Sequence, residues 1–226
     1  MDPLQIREAE IFKMLKNLGK LEFVVIGGYA VNAYALPRFS VDCDIVIENR
    51  LTLDRISKIL IKQEYSKKST DNGNKLENFE RYERKIQEDF AVSLDILIRE
   101  VKDRQTGVTI PSDWIFKNSE IRTLRGKTIT ERLKVRIINI DALFVMKMIS
   151  CRQTDIRDMF MLSPMLKDKK WVKSEITARY NFQDRFEKAM KTIKSMDFRN
   201  GLQGVYGLIE DSIFERNVKA MGSLGK

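Results

Sequence analysis

Residues 41–47 read VDCDIVI, with two aspartates one residue apart inside an otherwise apolar run. A run of this length, rich in β-branched residues, reads as a buried strand. Side chains alternate along a strand, so Asp42 and Asp44 project together from one face while Val41, Cys43 and Ile45 take the other. Carboxylates in such a setting are costly to desolvate unless a metal, a partner charge or solvent compensates them. Their mutual repulsion favours a divalent cation between them, and all-oxygen ligands select a hard ion, Mg²⁺ or Mn²⁺, over zinc or copper. Immediately upstream, Gly27 and Gly28 end the apolar run LEFVVI and open a short helical stretch, YAVNAYAL, which Pro37 ends. Glycine lets backbone approach a phosphate closely, and the start of a helix favours negative charge.

A third acid, Asp95, lies in the middle of SLDILI, a further apolar strand. Placed beside the 41–47 strand, it brings three aspartates to one metal site. A phosphate cradle next to metal-binding carboxylates describes phosphoryl or nucleotidyl transfer. The absence of histidine from all 226 residues excludes Ser–His or Cys–His nucleophilic catalysis and any histidine-ligated zinc site. Chemistry here must run on carboxylates, lysines, arginines, hydroxyls or a hard ion.

The remaining elements follow from periodicity and turn chemistry. Residues 3–19 form an amphipathic helix carrying Leu4, Ile11, Leu15 and Leu18 on one face, and LTLDRISKILIKQEY forms a second with Leu53, Ile56, Ile59 and Leu60. TDNGN at 70–74 is a turn signal ahead of a long charged segment, KLENFERYERKIQED. A strand end and a helix capped by Ser112 or Asp113 are expected in VTIPSDWIF, a hairpin in EIRTLRGKTIT, and a strand in LKVRIINI. RGKTIT imitates the end of a phosphate-binding loop, but Ile121 stands where that motif requires glycine, so a hairpin turn is the better reading. After Asp141 the pattern is helical to the end. Phe182, Phe186, Ala189 and Ile193 make an apolar stripe suited to core packing rather than base stacking, opposite Arg185, Lys188, Lys191 and Lys194.

GGYAVNAYALPRFSVDCDIVI resembles the signature of the nucleotidyltransferase superfamily, the polymerase-beta-like fold: a glycine pair, a short helix, an Arg-x-Ser turn, then Asp-x-Asp. SLDILI is similar to its third-aspartate strand. VRIINIDALFVMKMISCRQTDIRDMFML resembles the downstream block of small AbiEii-like, toxin-type members, with Lys147, Arg152, Asp155 and Asp158 at the matching positions and Thr154 where a basic residue is usual. The resemblance implies an α+β fold, a mixed sheet flanked by helices and followed by an all-helical C-terminal region, divided as a catalytic domain over 1–140 and a helical domain over 141–226. It implies an ATP- or other NTP-using, Mg²⁺- or Mn²⁺-dependent enzyme, with a toxin–antitoxin role among its associations. Asp42, Asp44 and Asp95 would be catalytic and metal-binding, and Gly27, Gly28, Arg38, Ser40 and Lys147 would hold the nucleotide. On the residues alone, Lys147 is equally a helix-face residue, and Asp155 and Asp158 suit pairing with Arg152 or Arg157.

Net charge is +9, and residues 141–226 carry 16 basic against 11 acidic residues. Such a balance favours a polyanionic partner. RNA, including tRNA, is the expected acceptor, met by the basic C-terminal helices and by KDKKW at 167–171; a small molecule or protein acceptor stays open. A second class of reading, a catalytically inactive nucleotide- or RNA-binding member of the fold, is disfavoured by the clustered negative charge. No apolar run has membrane-spanning length, and with two cysteines and no secretion-like N-terminus a cytoplasmic setting is expected.

Overall fold

The helical period at the start of the chain is realised as α1 (Pro3–Leu18), with Asp2 accepting from the Leu4 amide at its N-terminus. The computed structural model describes residues 2–68, 78–87 and 90–225. The TDNGN turn signal lies outside the described residues. The chain divides into two units, one of residues 1–33, 37–101 and 109–138 and one of 34–36, 102–108 and 139–226.

In the first unit α1 is followed by β1 (Val24–Ile26), α2 (Gly27–Val31), β2 (Asp42–Ile47) and α3 (Arg50–Lys62). Then come β3 (Ser66–Lys68), β4 (Phe79–Gln87), β5 (Phe90–Ile98), β6 (Glu100–Lys102), β7 (Thr109–Pro111), α4 (Ser112–Lys117), β8 (Ser119–Arg125) and β9 (Arg132–Ile138). Seven strands form one mixed sheet in the order β3-β4-β5-β2-β1-β9-β8, and β6 and β7 form a separate ribbon. Within the seven-stranded sheet the β2–β5 and β1–β9 neighbours are parallel and the other neighbours antiparallel. One face of the sheet carries Val25, Cys43, Ile45, Leu94 and Ile96, all fully buried. On this side Ile11, Phe12, Leu15 and Leu18 of α1 and Leu53, Ile56 and Leu60 of α3 complete the core. Each fully buried side chain of this size contributes about 1.5–3 kcal/mol.

Two local expectations are corrected. The helix α4 starts without a side-chain cap: Pro111 holds the N-cap position, so neither Ser112 nor Asp113 plays that role. The charged segment after residue 78 is a strand rather than an unassigned stretch, because charge pairs replace apolar packing there. Arg84 of β4 binds Glu10 and Glu64, and Lys67 binds Glu80. The RGKT turn has its own anion. Glu8 of α1, almost fully buried, accepts from the backbone amides of Lys127, Thr128 and Ile129 and from the Thr128 hydroxyl.

The second unit is helical, with α5 (Ile140–Ser150), α6 (Gln153–Leu162), α7 (Lys169–Thr177), α8 (Phe182–Ile193), α9 (Met196–Tyr206) and α10 (Asp211–Gly222). Asn181 splits the long helical stretch of the sequence by capping α8 through the Asp184 amide. The Phe182 and Phe186 rings stack on one another at 5.6 Å, and Phe182, Ala189 and Ile193 are buried. No helix among the described residues is long and apolar enough to cross a membrane.

Candidate active site

The strand register decides which acids meet. Asp42 stands opposite Ser93 and Asp44 opposite Asp95 on the parallel β2–β5 pair, so all three aspartates share one face. Asp95 in turn faces Arg81 on the antiparallel β5–β4 pair. The Arg81 guanidinium grips Asp95 in a two-pronged pair, Nε to Oδ1 and Nη2 to Oδ2 at 2.7 Å each, and its Nη2 lies 3.5 Å from Asp42 Oδ2. The Ser93 hydroxyl donates a short hydrogen bond to Asp42 Oδ1. Asp95 and Asp42 are thus compensated by a partner charge that the chain itself supplies. Hydrogen bonding to Asp95 raises the Arg81 pKa further, so the guanidinium stays charged at every accessible pH. The field of the three acids is felt through the sheet: burial pushes the Cys43 thiol well above its usual range, and Asp44, Asp95 and Asp42 add to it.

The glycine pair abuts this cluster. Gly27 has φ +65°, a left-handed conformation that suits glycine, and a Cβ there would overlap the Asp44 carboxylate. At Gly28 a Cβ would overlap the Ser40 hydroxyl and lie 3.2 Å from Arg38 Nη2. The turn carrying Arg38 and Ser40 is fixed from below by Asn32, which is 1% exposed. Asn32 accepts from the Arg38 amide at 3.0 Å and donates to the Arg38 carbonyl at 2.9 Å. Arg38 Nη1 donates to the Phe39 carbonyl, and Ser40 Oγ to the Asp42 carbonyl. Gly27, Gly28, Arg38, Ser40, Asp42, Asp44 and Asp95 thus gather at one end of the β1–β2–β5 strands.

Lys147 belongs to the helical unit. Its ammonium is buried against Asp155 at 2.8 Å and Asp158 at 2.7 Å. Burial pushes its pKa down, but the attraction of Asp158 and Asp155 outweighs this and the net shift is upward. The expected partners of these two acids are corrected accordingly: the Arg152 guanidinium binds Asp103 instead, and only its backbone amide reaches Asp155. Such a buried triad is complete without a ligand.

Two contributors were not singled out by sequence reading, Arg81 and Asn32. Arg81 sits in FERYERKIQ, where charges fall on both faces and no apolar period marks a strand. The one available signal was the spacing of Arg81 to Asp95 across a short connection, as in a hairpin. Asn32 is a single amide inside YAVNAYAL and carries no motif.

The donor chemistry suits Mg²⁺, which is commonly held by one or two carboxylates with substrate phosphates completing its shell. Asp42 and Asp44 can supply those two, while Asp95 is engaged by Arg81. Among the described residues no group of three or more acids or cysteines is arranged to hold a metal by itself.

No protein-family model matches the chain, and no curated protein matches it. Solved structures do. A candidate nucleotidyltransferase from H. pylori is 16% identical, with 99% of this chain and 93% of that one covered at a TM-score of 0.55. An antigenic nucleotidyltransferase-like protein from Paracoccidioides brasiliensis is also 16% identical, with 95% and 97% covered at a TM-score of 0.52. A likeness that spans both chains almost end to end at so low an identity is one of architecture, and it agrees with the mixed sheet, its flanking helices and the helical C-terminal unit. The chain has the nucleotidyltransferase fold.

Proposed function

We propose that the protein transfers a nucleoside monophosphate from a nucleoside triphosphate to an acceptor, with RNA the favoured acceptor class. The observation that carries this reading is the shared face of Asp42, Asp44 and Asp95, set against the Gly27 turn. Asp42 and Asp44 would hold Mg²⁺ or Mn²⁺, which when bound neutralises the triphosphate and the charge developing on the transferred phosphoryl group. The Gly27–Gly28 backbone, packed closely against Asp44, Ser40 and Arg38 because it carries no side chains, would offer its amides to phosphate oxygens beside Arg38 and Ser40. Asp95, the third acid on that face, would receive the acceptor hydroxyl proton. Lys147 can act on phosphate only if it leaves two buried carboxylates, which weighs against its direct role.

The test is label transfer. Incubation with each α-labelled triphosphate, Mg²⁺ and total cellular RNA is expected to label RNA, and Asp44→Ala is expected to abolish the signal. Equal labelling by wild type and Asp44→Ala would remove the reading.

A second reading is favoured by Arg81. Because the guanidinium already neutralises Asp95 and reaches Asp42, the cluster is stable without a metal, as an inactive nucleotide- or RNA-binding member of the fold would need. In that case no triphosphate is consumed, and RNA binding is indifferent to both Mg²⁺ and Asp44→Ala.

A further inference from the structure

The two faces of the β8–β9 hairpin differ in charge. Pairing of Ile121 with Arg136, Thr123 with Lys134 and Arg125 with Arg132 sets these six residues on one face. The opposite face carries Leu124, Val135 and Ile137, together with the ion pair of Arg122 and Glu120 at 3.0 Å. On the first face there are four cations, Arg125, Arg132, Lys134 and Arg136, all exposed, and no acid. Among the described residues none of the four forms a salt bridge, although Arg136 donates to the Ser119 hydroxyl at 3.3 Å. Arg125 and Arg132 stand directly opposite each other. Like charges in that position destabilise a sheet, so their concentration here calls for a reason other than folding.

The register places this face on the side of the sheet that bears the aspartates. Val25 pairs with Ile137, so Arg136, one residue earlier, shares the side of Ile26, and Ile26 faces Asp44. Only β1 separates β9 from β2, a lateral step of about 10 Å between those strands. Along β9 the three cations from Arg132 to Arg136 span about 14 Å. A row of this kind does not converge on a point, as a site for a single phosphate would. It matches a chain of phosphates. Three of the four groups are guanidinium ions, which bind phosphate oxygens in pairs. A membrane surface is a poor fit, because the face lacks aromatic anchors and Ile121 is its one exposed bulky apolar side chain.

We propose that this hairpin face docks the phosphodiester backbone of a nucleic acid and directs it toward Asp44. Calling the docked strand the acceptor rests on the transferase reading above; the docking itself does not. It also moves the main nucleic-acid contact from the helical unit, where the net basic charge of the sequence pointed, to the sheet.

The test is anisotropy of labelled poly(U) and poly(dT) with the full chain over a range of salt. Neutralising all four cations (Arg125→Gln, Arg132→Gln, Lys134→Gln, Arg136→Gln) is expected to weaken binding more than about tenfold at low salt and to flatten the log–log salt slope by about 3. The charge-preserving set Arg125→Lys, Arg132→Lys, Arg136→Lys keeps the slope, and each neutralised cation alone flattens it by about 0.7, so the result survives a poorly folding quadruple variant. Stronger binding of poly(U) or of poly(dT) assigns the strand as RNA or DNA. Asp44→Ala is expected to bind as wild type does, and retained binding with no label transfer by the wild-type chain defeats the transferase reading alone. Unchanged affinity and slope in the neutralised variant, or equal competition by poly-L-glutamate at matched charge, overturns the proposal.

Discussion

Asp42 and Asp95 share one cation, Arg81, on the sheet; Asp155 and Asp158 share another, Lys147, inside the helical unit. The stoichiometry is the same and the surroundings are not. In the sheet cluster Asp95 is 10% exposed, but the Arg81 and Asp42 side chains are 34% and 35% exposed. In the helical cluster Lys147 is 10% exposed, Asp155 8% and Asp158 not at all. Water can replace a partner in the first and cannot in the second. An ion pair open to solvent contributes little to stability and is free to exchange for a metal or a phosphate. A buried one, once formed, is costly to break. On the reading proposed above, a cation shared by two aspartates would serve exchange in one unit and cohesion in the other.

The sharpest way to break this contrast is Lys147→Ala. It strands two buried carboxylates and is expected to cost about 3–5 kcal/mol, read as an earlier urea midpoint. Retention of wild-type stability would show that the helical triad is no more structural than the sheet cluster. The same pair can be undone by pH. The folded-state pKa of Lys147 lies above its usual 10.5, so its contribution is complete at neutral pH and is lost as pH rises through the folded value. Urea unfolding at increasing alkaline pH should show a decline above about pH 10.5 that Lys147→Met lacks. A smaller effect on stability is expected from Arg81→Gln, about 1–3 kcal/mol, because Arg81 and Asp42 are open to solvent although Asp95 is largely buried. Removal of that charge leaves Asp42 and Asp95 unneutralised, so Mn²⁺ affinity measured by titration calorimetry without nucleotide should rise. A fall in that affinity would mean that Arg81 organises the acids for the metal rather than standing in for it.

The legible part of the site was its local part. Asp42 and Asp44 share a face because strand geometry alternates side chains, and the Gly27 turn follows from two glycines between an apolar run and a short helix. The helix over 3–19 and the strand at 41–47 were equally visible, since each carries its period within one segment. The β4 strand was not, because Tyr82 is its one buried apolar side chain and its other positions are satisfied by charges on α1, β3 and β5, by Glu64 just after α3, or by solvent. Arg81 went unseen with it.

Sequence alone determined which residues could do chemistry: no histidine, two aspartates on one strand face, and a glycine turn beside them. The tertiary structure alone decided their company. That Asp95 lies next to Asp44, that Arg81 closes on Asp95, and that Lys147 is spoken for by Asp155 and Asp158 all depend on contacts between separate segments. Those contacts are set by strand order, register and the packing of whole faces. Backbone geometry fixes the first kind of fact within a few residues, whereas the second is a choice among many pairings that only the assembled core makes.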